Sequence, residues 1–385
     1  MRKILPLFVA IAAIPASAQW ILQTSNTTSD LRGVHNVGNG VAWASGTKGT
    51  VLRTEDGGYL WQSCSIPPGA EKLDFRGIQA FNVNTAIVMS SGKGDQSRLY
   101  KTTDGCHSWK LIFTNPDEDG FLDSVHFASD GKLYVFGDPV KSTFALFLSD
   151  NGGDAWFPAG DKGRDAHASE GAFAASNTSF ASYGPFLLFG TGGSEHAHVY
   201  WTGTKCSPPP GRPNGPAIFN CELAWNNSEV PISSGTPASG VFSLSARATT
   251  AKSGVPTATV IAVGGAYDHP DQAAQSAAFS IDGGQHWTAS ATPPHGYRSA
   301  VAYEPSTKTW ITVGPNGTDI STDDGRNWRP LHPNAALHEA PDADRNWNAL
   351  SVPYVVGPHG RIGKLNDVTL RCEIPVADKP ARTYQ

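Results

Sequence analysis

The feature that most constrains the fold is an eight-residue motif that occurs five times. Each copy has Ser or Thr at its first position, Asp or Asn at its third, and Trp at its last, and the copies occupy residues 54–61, 102–109, 149–156, 280–287 and 321–328. Short Asp and Asn side chains accept backbone N–H groups in tight turns, and glycine adopts the positive φ that such turns require. The motif therefore predicts five hairpin turns, each followed by a tryptophan that packs between neighbouring sheets.

The spacing of the tryptophans predicts a propeller. Trp225 divides the long interval between Trp156 and Trp287, so that consecutive tryptophans lie 41 to 69 residues apart and define six four-stranded repeats. Residues 203–224, just before Trp225, are interpreted as a turn enlarged by an insertion. Repeats of about this length are typical of β-propellers.

A seventh repeat is divided between the two ends of the chain. Residues 347–365 provide three strands, and residues 19–24 resemble the missing fourth strand, because Trp20 lies 41 residues before Trp61. We therefore predict an all-β, seven-bladed β-propeller whose ring is closed by the N-terminal strand. The alternative is an open array or a β-helix, neither of which explains why one repeat is split.

The first eighteen residues have the pattern of a secretory signal peptide. Arg2 and Lys3 precede an apolar run that is too short to span a membrane, and small residues at 16–18 form a cleavage site before Gln19. The chain is thus divided into a signal peptide (1–18), one propeller (19–371) and a C-terminal tail (372–385). We expect an exported protein, periplasmic or secreted, without a membrane span.

Charge and motif content exclude several classes of partner. The formal net charge is −5, and cleavage of the signal peptide would make it more negative, which disfavours nucleic acid as a partner. The sequence has no phosphate-binding loop, no Ser–His–Asp order and no redox cysteine pair. We therefore expect no cofactor, and we expect a monomer.

Five cysteines follow the predicted cleavage site. Cys206 and Cys221 flank a loop rich in Pro and Gly and are the predicted disulfide. A Cys64–Cys106 bridge is also compatible with the sequence, since both residues lie near turns of consecutive repeats. Cys372 would then remain unpaired in the tail, and the cysteine spacings do not match a metal site.

The motifs resemble the Asp-boxes of the bacterial-neuraminidase-repeat proteins. The wider pattern, with Asp138-Pro139 and the glycine pair at 264 and 265, looks like the bacterial relatives of the photosystem II stability/assembly factor. The resemblance implies a propeller, and it implies that the Asp-boxes lie on the face away from the usual site. Members of known role are binding and assembly proteins, whereas sialidases and some glycanases share the boxes.

Aligned entries of the innermost strands predict a charged central mouth. One position per blade would face it, and these positions are Arg32, Arg76, Asp123, Glu170, Ser239, Arg298 and Asn348. Loops after the second strands add Asp138, residues 192–195, and Tyr267 with Asp268 to the same face. We predict that Arg32, Arg76 and Arg298, with Tyr267 and Asp268, bind an anionic or sugar-like ligand or a partner protein. The alternative without function is that these charges only pair with one another.

A glycan hydrolase similar to the sialidases is the second functional hypothesis. There the three arginines would hold a carboxylate, and Asp123, Asp138 and Glu170 would be the candidate catalytic acids. The chain departs from the sialidase pattern in having seven blades and no Arg-Ile-Pro motif. Alternating histidines at 196 and 198 suggest a metal site, but no third ligand accompanies them, so no metal is predicted.

Overall fold

The strands form a closed ring of seven four-stranded antiparallel sheets. The computed structural model describes residues 20–160, 162–207, 220–250, 256–333, 335 and 339–366, without the side chains of 205–207 and 220–223. Within this part of the chain, the first strand of each sheet contacts the first strand of the next, and the last sheet contacts the first. The predicted seven-bladed β-propeller is confirmed, and the open array and the β-helix are excluded.

The blades are numbered 1 to 7 in chain order, and strand β1 (Trp20–Gln23) belongs to the last of them. Blade 1 contains β2 (Leu31–Gly38), β3 (Val41–Gly46), β4 (Val51–Thr54) and β5 (Gln62–Ser63). Blade 2 contains β6 (Phe75–Ala80), β7 (Ala86–Ser90), β8 (Arg98–Thr102) and β9 (Lys110–Thr114), with a 3-10 turn at Gly94–Gln96. Blade 3 contains β10 (Leu122–Phe127), β11 (Leu133–Val140), β12 (Thr143–Ser149) and β13 (Phe157–Pro158).

The remaining blades include two with unusually long strands. Blade 4 contains β14 (Phe180–Tyr183), β15 (Phe186–Gly190), β16 (Ala197–Ser207) and β17 (Asn220–Val230). Blade 5 contains β18 (Ser239–Thr250), β19 (Pro256–Ala266), β20 (Ala277–Ser280) and β21 (Thr288–Ala289). Blade 6 contains β22 (Ala300–Glu304), β23 (Thr309–Gly314), β24 (Gly317–Ser321) and β25 (Arg329–Leu331). Blade 7 contains β26 (Ala349–Ser351), β27 (Tyr354–Val356), β28 (Ile362–Leu365) and β1.

The N-terminal strand closes the ring as predicted. β1 pairs antiparallel with β28, from Trp20 opposite Leu365 to Gln23 opposite Ile362. Trp20 is only 2% exposed, and its indole N–H donates to Thr318 Oγ1 of blade 6 at 3.0 Å. The first strand of the folded chain is thus bound both to its own blade and to the neighbouring one.

The five repeated motifs form identical hydrogen-bonded turns between the third and fourth strands of their blades. In blade 1 the N–H of Gly58 donates to Thr54 Oγ1 at 2.9 Å, and the N–H of Leu60 donates to Asp56 Oδ1 at 3.0 Å. The same two bonds recur in the other four motifs. The closing tryptophan is buried in three turns and half-buried at Trp156 and Trp287.

The core is divided into the spaces between blades. Among the described residues there is one hydrophobic cluster at each of the seven contacts between neighbouring blades. Aliphatic and aromatic residues at alternating positions along a strand supply the clusters on its two sides, because the two faces of each sheet both pack against a neighbouring sheet. Stability therefore depends on every blade having two neighbours.

Blade 4 differs from the prediction in two respects. The predicted enlarged turn is wrong at both of its ends, because β16 continues to Ser207 and β17 starts at Asn220, so that residues 203–207 and 220–224 form a two-stranded ribbon. Its first strand also begins at Phe180, ten residues after the predicted entry at Glu170. The intervening segment, residues 172–178, crosses the centre of the ring.

Small side chains allow this segment to enter the narrow axis, and Asn177 anchors it there. The Asn177 amide nitrogen donates to the carbonyl oxygens of Val125 (3.0 Å) and Ile78 (3.3 Å), while its oxygen accepts the N–H of Val125 (2.8 Å). Gly77 is required beside it, since a Cβ there would lie 2.6 Å from the Asn177 side-chain oxygen. Residues 172–175 line a cavity at one end of the axis and residues 176–178 line a cavity at the other.

The disulfide in the described residues joins blades 1 and 2. Cys64, just after β5, is bonded to Cys106 in the repeated turn of blade 2, with a Cα–Cα distance of 5.3 Å. The side chains of Cys206 and Cys221, the predicted pair, lie outside the described residues, as does Cys372. The backbone register does place Cys206 directly opposite Cys221 in the ribbon.

Candidate functional site: the central mouth

The mouth of the propeller is a cavity of about 630 Å³ at the end of the axis remote from the repeated turns. Five predicted site residues line it, namely Arg32, Arg76, Asp123, Asp138 and Tyr267. Asn348, from the aligned series, lines it as well, whereas Arg298, Glu170 and Asp268 do not. Four of the predicted charged side chains therefore lie at one cavity, and the other three predicted site residues lie elsewhere.

A β-bulge explains which side chains reach the mouth. In blades 1, 2, 3 and 5 the first strand pairs out of register at one extra residue, and these residues are Arg32, Arg76, Asp123 and Phe242. A bulged residue leaves the regular alternation of the strand, which redirects its side chain. All four line the cavity. Ser239, the residue aligned in blade 5, instead bonds within its own loop at Thr236.

The cationic side of the mouth consists of two arginines from consecutive blades. Arg76 Nε donates to Asp74 Oδ2 at 2.8 Å, and Arg32 Nε lies 3.8 Å from Asp74 Oδ1. Both arginine side chains retain about a third of their exposure, at 30% and 32%. Two guanidinium groups thus share a single carboxylate, which leaves a net positive charge at this side of the cavity.

The acidic side consists of Asp123 and Asp138 of blade 3. Asp123 is 1% exposed, and neither carboxylate oxygen has a hydrogen-bond partner among the described residues. Burial raises the pKa of Asp123 well above its usual value, the nearby Asp138 carboxylate raises it further, and Arg76 partly opposes both. Asp138 Oδ1 accepts the N–H of Ala172 at 2.8 Å, yet burial still raises its pKa.

Aromatic side chains complete the wall of the cavity. Phe173, from the axial segment, stacks on Phe242 with ring centroids 3.7 Å apart. Tyr297 and Tyr267 pack edge-on against Phe242, and Tyr267 remains 54% exposed. The mouth thus combines a cationic side, an acidic side and an aromatic surface.

Glu170 lies in blade 4 behind the mouth. Its Oε1 accepts bonds from His198 Nδ1 (2.9 Å) and the Thr191 hydroxyl, and its Oε2 from the Tyr200 hydroxyl (2.9 Å) and the His167 N–H (2.8 Å). Burial favours the neutral acid, but the bonds from His198, Thr191 and His167 outweigh it and lower the pKa of Glu170. A carboxylate so fully bonded holds the loop in place rather than facing a ligand.

The same residues do not fit a metal site. Potential ligand atoms of His167, Glu170 and His198 lie within 4.8 Å of one another. The two imidazoles are stacked, however, with centroids 4.3 Å apart and planes at 16° to each other. Two histidine ligands direct ring nitrogens at a common ion, which displaced parallel rings cannot do, and both oxygens of Glu170 are already engaged.

Arg298 is a structural residue instead of a mouth residue. It is 0% exposed, and its Nε donates to Asp319 Oδ2 at 2.9 Å while Nη1 donates to the Tyr297 carbonyl at 2.7 Å. Burial lowers its pKa, and the charge of Asp319 opposes that shift. The neighbouring Ser299 lines the mouth, so that the predicted alignment is displaced by one residue in blade 6.

Replacing Arg298 by Ala is expected to reduce the free energy of unfolding by about 3 kcal/mol, because it removes the guanidinium paired with the buried Asp319 carboxylate and leaves that carboxylate, among the described residues, only its 2.8 Å contact with His295 Nδ1. Urea denaturation of the two proteins measures this difference. The double variant Arg298→Met/Asp319→Leu is the control, since removing both charges should recover much of the loss. A single variant as stable as the wild type would contradict the structural role.

The loops after the second strands contribute less than predicted. Asp268 pairs with the exposed His269 at 3.0 Å and does not line the cavity. Three residues that the sequence reasoning missed do matter: Asp74, Phe173 and Phe242. Asp74 had a detectable signal, because an Asp-apolar-Arg-Gly sequence occurs at both 30–33 and 74–77.

A second cavity, of about 850 Å³, opens at the opposite end of the axis. Two pairs of polar side chains lie in it, with His126 Nε2 2.8 Å from Ser182 Oγ and His35 Nε2 3.3 Å from the Gln79 amide nitrogen, while His35 Nδ1 has no hydrogen-bond partner among the described residues. Burial lowers the pKa of both histidines to about 4, so that both are neutral at physiological pH. The charged groups that would select a ligand are therefore concentrated in the mouth.

Comparisons with known proteins support the fold. No protein-family model matches the chain, and no curated protein matches it. The solved structure of YCF48 bound to a D1 peptide is similar, with a TM-score of 0.53 and 15% identity over 94% of this chain and 100% of that one. YCF48 from Cyanidioschyzon merolae has a TM-score of 0.51 and 16% identity, covering 91% and 99% of the two chains. At these identities the likeness establishes a shared propeller fold.

In the described residues no helix has the length and apolarity needed to span a membrane.

Proposed function

We propose that this propeller binds an acidic segment of a partner protein at the cationic side of its mouth, in a scaffold or assembly role. The observation that carries the proposal is the sharing of one carboxylate, Asp74, by Arg32 and Arg76. Arginine presents planar pairs of donors to carboxylates, and these two arginines have donors left over at an open cavity. An acidic side chain entering the mouth would supply the missing negative charge.

Two comparisons support a partner-binding role. The sequence resembles the photosystem II stability/assembly factor group, whose members of known role bind and assemble other proteins. The similar YCF48 structure is described as bound to a D1 peptide. The mouth described above offers this chain a surface of the kind that a peptide would need.

The glycan-hydrolase alternative has less support from the arrangement of side chains. A three-arginine clamp would require Arg298, which is buried against Asp319. Of the three candidate acids, Glu170 is fully hydrogen-bonded behind the mouth. Asp123 and Asp138 remain at the cavity, but among the described residues only Arg32 and Arg76 line it as arginines. Binding without turnover is therefore the function we propose.

We also propose that the protein is exported. The basic and apolar pattern of residues 1–18 supports this, and so does the Cys64–Cys106 disulfide, because such bonds persist mainly in oxidising compartments. An exported protein would meet its partner outside the cytoplasm, in the periplasm or beyond it.

Arg76→Ala and Arg32→Ala are each expected to weaken binding of a labelled hexaglutamate peptide at least tenfold, with little change in melting temperature. The melting temperature should hold because a partly exposed ion pair contributes about 0 to 1 kcal/mol. Fluorescence anisotropy at two salt concentrations measures the affinity, which should also fall as salt screens the charges. Arg326→Ala is the matched control, since it removes an exposed arginine in the repeated turn of blade 6. Equal weakening in all three variants would mean that only the overall charge matters.

A further inference from the structure

The acidic side of the mouth contains an unsatisfied group. Asp123 is buried at the cavity wall, and neither of its oxygens is hydrogen-bonded within the described part of the chain. Arg76 does not supply the missing bonds, because its Nε is bound to Asp74 and its Nη1 points to the Ala174 carbonyl oxygen at 3.4 Å. A buried carboxylate without a donor is costly, and native proteins usually satisfy such groups. A hydrogen-bond donor on a bound ligand would satisfy this group.

The surroundings of Asp123 identify the class of donor. Asp138, whose charge acts on Asp123, accepts a bond from the Ala172 N–H, and Phe173, the residue after Ala172, stacks on Phe242 in the same cavity wall. Two carboxyl groups beside an aromatic surface suit a planar cation, because guanidinium donates several parallel bonds and also stacks on rings. An ammonium group is more strongly hydrated and makes fewer directed bonds.

We infer that the acidic side of the mouth, Asp123 with Asp138, binds an arginine side chain of the partner segment. This inference rests on the proposed function and makes it more specific. The segment that fits the mouth carries an arginine for Asp123 and an acidic residue for Arg32 and Arg76. The two charged sides would then select a sequence of mixed charge over a purely acidic one.

Three peptides of equal length test this inference by calorimetry: one with glutamates only, one with a single arginine among neutral residues, and one with both. The wild-type protein should bind the mixed peptide about tenfold more tightly than the glutamate peptide. Asp123→Asn should abolish that advantage and all binding of the arginine peptide, while binding of the glutamate peptide is retained. Replacing the arginine of the mixed peptide by lysine should lose most of the gain.

Asp138→Asn is the second variant, for use if Asp123→Asn does not fold. Its side-chain oxygen can still accept the Ala172 N–H. This variant should also bind the arginine peptide more weakly than the wild-type protein does. Wild-type affinity of Asp123→Asn for the mixed peptide, or no gain from arginine in the wild-type protein, would overturn the inference. Failure of the proposed function has a different signature, because the glutamate peptide would then bind Arg76→Ala as tightly as the wild type.

Discussion

Deleting residues 19–23 is expected to destabilise the propeller by more than about 5 kcal/mol. Loss of the Trp20 side chain alone should cost about 3 to 5 kcal/mol, because it is buried against Trp347 and bonded to Thr318. The deletion also removes the strand paired with β28, whose backbone groups then face water at an open sheet edge. Since every blade needs two neighbours, the loss spreads to the contact between blades 6 and 7.

Equilibrium denaturation of the intact chain from Gln19 and of the chain shortened to begin at Thr24 measures this effect. The control is the double variant Ile21→Ala/Leu22→Ala, which changes the same strand at side chains that are 49% and 41% exposed. Its cost should stay below about 1 kcal/mol, as for most surface substitutions. If the shortened chain unfolds at the same denaturant concentration as the intact one, strand β1 does not close the ring.

The ring was predictable because its determinants are local and repeated. The hydroxyl, the Asp or Asn, and the residue at positive φ all bond within eight residues, so each motif reports its own turn. Trp20 could be placed in blade 7 from spacing alone, since the repeat length fixes where a fourth strand begins. Blade 4 lacks the motif, and there the prediction failed: strands β16 and β17 extend into the segment predicted to be a turn, and Phe180 begins the first strand.

The mouth was harder to predict because its geometry depends on bulges and on a distant segment. Arg32 and Arg76 follow the same Asp-apolar pair and precede Gly, and both occupy bulges. Arg298 has no such context, and a shift of one residue places it in a buried ion pair, which no pattern of residue types reveals. Glu170 was misplaced because the axial segment that follows it has no strand periodicity.

The Cys64–Cys106 bridge is expected to contribute about 4 kcal/mol, since it closes a loop with a sequence separation of 42 residues in the unfolded chain. It also fastens the outer edge of blade 1 to the repeated turn of blade 2. Cys64→Ser should lose this contribution in full. Cys106→Gly should lose about 1 kcal/mol less than Cys64→Ser, because glycine adopts a positive φ without strain. Cys106 lies at a φ of +67°, at a position where the other four motifs have Gly.

Denaturation with and without a reductant separates the contribution of the disulfide from the backbone strain at Cys106. Reductant should lower the stability of the wild type more than that of Cys106→Gly, and the difference is the contribution of the Cys64–Cys106 bridge. The intact mass of protein recovered from the periplasm or the medium tests export, because the exported chain should begin at Gln19. Peptide mapping without reductant then shows whether Cys206 and Cys221, which face each other in the backbone register, are linked as predicted. If Cys106→Gly proves less stable than Cys64→Ser, the positive φ at this turn carries no strain, and the cross-link alone explains why cysteine occupies a glycine position.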